Sequence, residues 1–346
     1  MTAPLCKTVS LGLQGAGTYG AYTWGVLDRL LDEDDLVFDK LSGSSSGAIN
    51  AVVLADGYAH GGGRRGAQAA LRRYWTTLGQ AMTFSPLQRT PLDRLAGSWT
   101  LEYSPVYHLL EMGAALHGPV WDAPLTQNPL RNFLTTMVDF DRVRGCTELQ
   151  LFVAATNVRT GAGRIFRRAE LDPQRVLASA CLPTVFAAVE VEGESYWDGS
   201  FVANPPLAPF LEHGAGDVLV VQNNPVSRNR APRSVADIAN RTNEIAFNMS
   251  FLRELAALQH GQGLPVEERG DAMVFNRPRL HMISGIELLA DYSISSKLNG
   301  ELGFLLHLHA AGRAAAEDWL CAHKADLGVA GAPLPPHAYG AAQRQA

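Results

Sequence analysis

Twice within its first 55 residues the chain runs from an apolar strand pattern, through a glycine-bearing turn, into a helix. Lys7–Leu13 alternates and then turns apolar before Gly15-Ala16-Gly17, and Tyr19–Leu31 follows with Tyr22, Val26, Leu27, Leu30 and Leu31 at helical spacing. Leu36–Leu41 reads as a short buried strand entering Gly43-Ser44-Ser45-Ser46-Gly47, after which the small apolar stretch Ala48–Ala55 continues as helix. Strands joined through helices pair in parallel, because a parallel pair needs a long crossover where an antiparallel pair needs only a hairpin. The alternation continues. Strand patterns at Leu149–Thr156, Ala187–Val191, Val218–Gln222 and Arg279–Ile283 are interleaved with helical patterns near Gly66–Leu78, Val235–Leu258 and Gly303–Leu320. The expected class is α/β, a three-layer α/β/α sandwich on a mostly parallel central sheet.

With 346 residues, 47% of them hydrophobic and 18% charged, the chain has enough apolar content for one folded domain, drawn from 7 to 325. From about 80 to 128 it becomes turn-rich and carries Trp99, Tyr103, Tyr107 and Trp121 among prolines. This stretch is expected to be an insertion or cap packed on the body, with the lining of an acyl-chain pocket as the alternative use of its aromatics. Residues 326–346 read as a flexible Ala/Pro/Gly-rich tail. Net charge −5 and the lack of a polybasic tract argue against a nucleic-acid partner. Cys6, Cys146, Cys181 and Cys321 lie far apart with no CxxC pair, which suggests neither a zinc knuckle nor a disulfide scaffold. No secretory signal is visible and no apolar run approaches the roughly 18 residues of a spanning helix, so a cytoplasmic location is expected. Ile245, Met249, Leu252, Leu255 and Leu258 form an amphipathic stripe, expected to face the core, with transient membrane-surface contact as the alternative. Oligomeric state does not follow from the sequence.

The second turn matches GxSxG. A serine on a tight strand-to-helix turn exposes its hydroxyl, Gly43 and Gly47 admit the strained backbone, and the helix start behind favours developing negative charge. Ser45 is the candidate nucleophile. The first turn, Gly15-Ala16-Gly17-Thr18-Tyr19-Gly20, also fits the dinucleotide pattern GxGxxG, but that use needs an acidic residue at the end of the second strand, where Gly43-Ser44-Ser45 stands. Backbone amides of Gly15, Ala16 and Gly17 serving as an oxyanion hole beside Ser45 explain both turns together. Asp198-Gly199, after the strand pattern Ala187–Val191, offers a carboxylate as base, although Asp-Gly turns are common in their own right. His213, His260, His281, His307, His309 and His323 also follow Asp198, so the order Ser, Asp, His is formally available. None of them lies at a turn-marked strand end, which favours a two-residue Ser45–Asp198 site.

These three segments together resemble the patatin-like phospholipases, whose pattern is a glycine-rich oxyanion loop, GxSxG and a distant Asp-Gly pair. Supporting phrases are Gly20-Ala21-Tyr22, Gly47-Ala48-Ile49-Asn50-Ala51, Ala178-Ser179-Ala180-Cys181-Leu182-Pro183 and Asn204-Pro205. The resemblance runs from about residue 7 to 225. It implies Ser45 as nucleophile, Asp198 as proton acceptor, Gly15, Ala16 and Gly17 as oxyanion hole, and Gly20, Gly43, Gly47 and Gly199 as motif support. It further implies an acyl-enzyme route on a lipid or acyl-ester substrate, with neither metal nor organic cofactor. Three departures stand out. Ala16 replaces a glycine, Tyr19 stands where the family usually carries Arg or Lys, and Ser200 stands where it usually carries Gly or Ala. Loss of the loop cation points towards neutral esters or thioesters. The expected function is a serine lipid acyl hydrolase, with a thioesterase or acyltransferase, or a catalytically weakened regulatory protein, as alternatives.

Overall fold

A computed structural model describes residues 6–117, 129–183, 185–228, 231–232, 235–260 and 278–332. The first half builds β1 (Lys7–Leu13), α1 (Gly20–Leu30), β2 (Leu36–Gly43), α2 (Ser46–Gly57), α3 (Gly63–Met82), α4 (Pro91–Leu95), α5 (Pro105–His117), α6 (Pro129–Met137) and α7 (Phe140–Gly145). The second half builds β3 (Gln150–Asn157), β4 (Gly163–Arg167), α8 (Pro173–Ser179), β5 (Val189–Val191), β6 (Glu194–Asp198), α9 (Ala208–Glu212), β7 (Asp217–Gln222), α10 (Val235–His260), β8 (Arg279–Ser284), α11 (Ile286–Leu289) and α12 (Leu302–His323). One sheet runs in the order β5-β6-β3-β2-β1-β7-β8, with β4 paired to β3. The pairs β3-β2, β2-β1, β1-β7 and β7-β8 are parallel, while β4, β5 and β6 add antiparallel pairs at one side.

The sheet is covered on both faces, and strand alternation shows it directly. Val218 and Val220 of β7 join a cluster with Phe210, Phe251 and Leu255, whereas Leu219 and Val221 join the larger cluster with Trp24, Leu54 and Leu308. Thus α9 and α10 cover one face, and α1, α2 and α12 cover the other. Every residue of α2 is buried, which is why its sequence Ser46–Gly57 carries small and apolar residues all round instead of an amphipathic stripe.

Four details differ from the sequence reading. Asp198 does not sit in a turn after a strand: it ends β6, a strand too short and polar to stand out by periodicity. The β5-β6 hairpin turns at Glu192-Gly193, both with positive φ (54° and 80°), the signature of a two-residue primed turn. The α10 stripe splits, since three-residue steps each lag the helix by about 60°. Phe247, Phe251, Leu255 and Leu258 are therefore buried, while Ile245 and Met249 are exposed. Finally, the chain remains packed past residue 325: Leu327 and Ala332 are buried, and the Gly328 N–H donates to Asp217. Residues 333–346 of the expected tail lie outside the described residues.

In the insertion, Trp99 stacks on Phe304 of α12 at 5.0 Å, with Arg89 4.1 Å above its ring, and Leu101 and Tyr107 are buried. Tyr103 is exposed. Trp121 and the stretch 118–128 lie outside the described residues. Among the described residues, no helix is long and apolar enough to cross a membrane.

Candidate active site

Ser45 links β2 to α2 with φ 53° and ψ −125°, a conformation that side chains rarely adopt. The turn tolerates this strain because its neighbours hold it. The Ser45 N–H donates to both the carbonyl and the hydroxyl of Ser179, at 3.1 and 3.0 Å, from the end of α8. The flanking glycines are required by contact: a Cβ on Gly47 would lie 2.1 Å from the Leu13 carbonyl, and one on Gly43 would lie 2.5 Å from the Gly47 backbone. Gly15 is pressed against the same turn, since its Cβ would stand 2.4 Å from the Ser44 carbonyl and 2.6 Å from Ser45 Cβ. A Cβ on Gly20 would meet Ser46 at 2.8 Å. The two glycine turns read from the sequence are therefore one surface. Ala16 has φ −159°, outside the positive-φ region that favours glycine, and the positive φ falls one position later at Gly17 (60°). Alanine in place of the family's glycine is accommodated for that reason.

Sheet register brings Asp198 to Ser45. Val153 of β3 is paired with Gly43, and two residues on, Ala155 is paired with Asp198. Gly199 lies so close to β3 that a Cβ there would stand 2.1 Å from the Ala154 carbonyl. Asp198 is 1% exposed. Its Oδ1 accepts the Ser200 N–H at 2.8 Å, its N–H donates to the Cys181 carbonyl, and its carbonyl accepts the Thr156 hydroxyl at 2.7 Å. Carboxylate oxygen Oδ2 is buried without a hydrogen-bond partner among the described residues. Burial pushes the Asp198 carboxyl up to about 6, against the smaller opposing effects of the Ser200 N–H and the Ser45 hydroxyl. The Ser45 hydroxyl is thus close enough to favour the charged form of the carboxyl.

A group of buried amides that the sequence reading missed holds the first turn. The Gly15 N–H donates to Asn204 Oδ1 at 2.7 Å, and the Gly15 carbonyl accepts from the Nδ2 groups of Asn204 and Asn224 at 3.2 and 3.1 Å. Gln14 Oε1 accepts the N–H groups of Asn223 and Asn224, both at 3.0 Å. Gln14, Asn204, Asn223 and Asn224 are fully buried. Asn204-Pro205 was visible as a family phrase, but nothing local marks Gln14, Asn223 or Asn224. Of the three amides expected to form an oxyanion hole, Gly15 is committed to Asn204, and the Ala16 N–H donates to Ser46 Oγ at 3.1 Å. The Gly17 N–H has no hydrogen-bond partner among the described residues.

Tyr19 does not leave the loop without a cation. Its hydroxyl is 2.8 Å from Ser296 Oγ, and Lys297 Nζ lies 5.7 Å from its ring centre. Lys297 donates to Asn224 Oδ1 at 2.8 Å and to Glu244 at 2.7 Å, and Arg228 and Arg241 also pair with Glu244. Burial alone would raise the Glu244 carboxyl, but Lys297 and Arg228 hold it down at about 2. A positive charge beside the loop is thus supplied from distant sequence.

The histidines are engaged elsewhere. His281 is buried 2.9 Å from Asp217, near the start of β7 and far along the register from the turns. His309 lies 3.1 Å from Asp28, His307 2.7 Å from the Tyr292 hydroxyl and His323 3.1 Å from Asp326, while His213 stacks on Phe152. The side chain of His260 lies outside the described residues. Among the described residues, no cluster of three or more His, Cys, Asp or Glu could hold a metal ion.

The site thus combines a mostly parallel sheet, a strained serine turn at the end of β2, a glycine loop packed on that turn and a buried carboxyl at the end of β6. The family model for patatin-like phospholipases matches residues 11–211, more than half of the chain, and the chain belongs to that family of lipid ester hydrolases. Among curated proteins, no sequence matches. Solved structures that are similar include VipD from Legionella pneumophila, with TM-score 0.37, 14% identity, and coverage of 90% of this chain and 68% of that one. Human GIVD cytosolic phospholipase A2, in complex with methyl gamma-linolenyl fluorophosphonate, gives TM-score 0.39 and 13% identity over 95% of this chain and 60% of that one. The ExoU–SpcU complex of Pseudomonas aeruginosa gives 0.30 and 14% over 89% and 52%. The chain thus spans about half to two thirds of the length of these structures.

Proposed function

We propose that the protein hydrolyses lipid acyl esters through a covalent acyl-enzyme on Ser45, with Asp198 as its base. The observation that carries this reading is the meeting of three sequence-distant features: Gly15 lies against Ser45, and the buried Asp198 carboxyl, with an oxygen unpartnered among the described residues, feels the Ser45 hydroxyl. Ser45 Oγ attacks the ester carbonyl carbon while its proton passes to the Asp198 carboxylate. The carbonyl oxygen becomes an oxyanion that the free Gly17 N–H meets, with Ala16 joining when Ser46 Oγ turns away. Collapse of this intermediate breaks the ester C–O bond, and the alcohol leaves with the proton held by Asp198. Water then attacks the acyl carbon, gives a proton to Asp198, and Ser45 Oγ recovers it as the fatty acid departs. A carboxyl near 6 suits the task better than an ordinary aspartate, because a base is most useful when its pKa lies close to working pH. The test is a fluorophosphonate probe followed by mass spectrometry. The probe should add its mass to Ser45, and Ser45→Ala should abolish labelling; labelling of another residue refutes the assignment. A panel of esters, thioesters and phospholipids then identifies the acyl donor.

A further inference from the structure

The third motif departs from the family pattern at Ser200, and the structure puts that departure in the middle of the site. Ser200 is 1% exposed. Its Oγ has no hydrogen-bond partner among the described residues. It lies 3.0 Å from the point where a Cβ on Gly15 would stand, a point that is itself 2.6 Å from Ser45 Cβ. Its backbone N–H already holds Asp198 Oδ1 at 2.8 Å, while Asp198 Oδ2 is buried without a partner. A buried donor without an acceptor therefore adjoins a buried acceptor without a donor. Either left alone would carry the desolvation cost of an unpaired buried polar group, and a hydroxyl turns about its own bonds at little cost.

We propose that Ser200 is a positioning residue of the site: its hydroxyl donates to the Asp198 carboxylate, so that the carboxylate is held between two serines, Ser200 fixed in place and Ser45 reacting. The inference rests on the assignment of Ser45 and Asp198 above. When Ser45 gives up its proton, the protonated Asp198 retains the Ser200 hydroxyl as an acceptor, so the carboxyl keeps its orientation in both states. The Ser200 hydroxyl lowers the Asp198 pKa, as does the Ser45 hydroxyl, in opposition to burial. Of the titratable groups around Asp198, the Cys181 thiol is pushed up to about 12 by burial and by Asp198 itself, and is neutral across the working range. No charged side chain among the described residues acts on the carboxyl.

The test is the ionisation of Asp198 in the full chain, followed by carboxyl-carbon NMR and assigned by the signal lost in Asp198→Asn. Parent, Ser200→Ala and Ser200→Gly are compared, the two variants differing in the space they fill but not in the hydroxyl they lack. Loss of a hydrogen bond to the charged form raises a carboxyl pKa. Both variants should therefore titrate at least about half a pH unit higher than the parent, and their phosphonate labelling at Ser45 should be about threefold slower on the acid side. Coincident titration curves, or a downward shift, overturn the proposal. Absence of Ser45 labelling in the parent would instead refute the assignment of the nucleophile, while the titration would still decide on Ser200.

Discussion

Replacing Asp198 by Asn should make the protein more stable while disabling it, and the size of the effect follows from burial. Asp198 is 1% exposed and its carboxyl is raised from 3.8 to about 6. A carboxyl with a folded pKa above its unfolded value binds more protons in the native state between the two, so stability falls as pH rises through that window. Above pH 6 the folded protein carries an ionised, desolvated carboxylate whose shift corresponds to about 3 kcal/mol against folding; below pH 4 the cost is gone. Asparagine has the same shape and cannot ionise. Its carbonyl can still accept the Ser200 N–H, and its amide can donate to the Ser45 or Ser200 hydroxyl. Urea unfolding of parent and Asp198→Asn at pH 8 and pH 4 gives the assay, because every other titrating group cancels in the difference. The variant should be more stable by about 2–3 kcal/mol at pH 8, and the gain should vanish near pH 4. An equal difference at both pH values, or a less stable variant at pH 8, would refute the argument that the site holds a desolvated carboxylate.

The same variant should lower ester hydrolysis by about 10²–10⁴-fold, the usual worth of a positioned general base, measured as kcat/KM with a soluble ester. In the parent, kcat/KM should fall tenfold per pH unit below an acid limb near pH 6; a limb near 4 would place the base in water. Gly47→Ala should abolish phosphonate labelling and lower stability by about 4 kcal/mol or more, since the added Cβ would stand 2.1 Å from the Leu13 carbonyl oxygen and 2.9 Å from that of Gln14, both of them backbone atoms. His281→Ala should cost about 1–3 kcal/mol by leaving Asp217 short of a partner, yet labelling of Ser45 should persist at the parent rate; loss of labelling would restore a histidine to the mechanism.

Most of the architecture was legible because it depends on local patterns. β1 is Lys7–Leu13 in both reading and structure, and the helical patterns near 66–78, 235–258 and 303–320 became α3, α10 and α12 with longer ends. Strands β4 and β6 escaped because antiparallel strands of only five residues carry little periodic signal. The α10 stripe misled because a stripe of apolar residues gives a face only while its steps keep pace with the helix. Ser45 and Asp198 stood out since their neighbours are glycines that backbone contact demands. Gln14, Asn223, Asn224, Ser179 and Lys297 did not stand out. Each is an ordinary polar residue whose role lies in partners about 50 to 210 positions away.

The sequence by itself determined that two strands end in glycine turns, that one turn carries Ser45, and that a lone Asp-Gly pair follows far downstream. Backbone rules require this much: a sharp strand-to-helix turn needs residues without side chains at particular places, and such places are visible in one dimension. Only tertiary structure decided what those residues face. Register between β2, β3 and β6 brings Asp198 to Ser45, burial raises its carboxyl, Asn204 and Asn224 clamp Gly15, and Lys297 supplies a charge that Tyr19 does not carry. Desolvation and hydrogen bonding depend on distance in space, and residue order along the chain constrains that distance only after the sheet has formed.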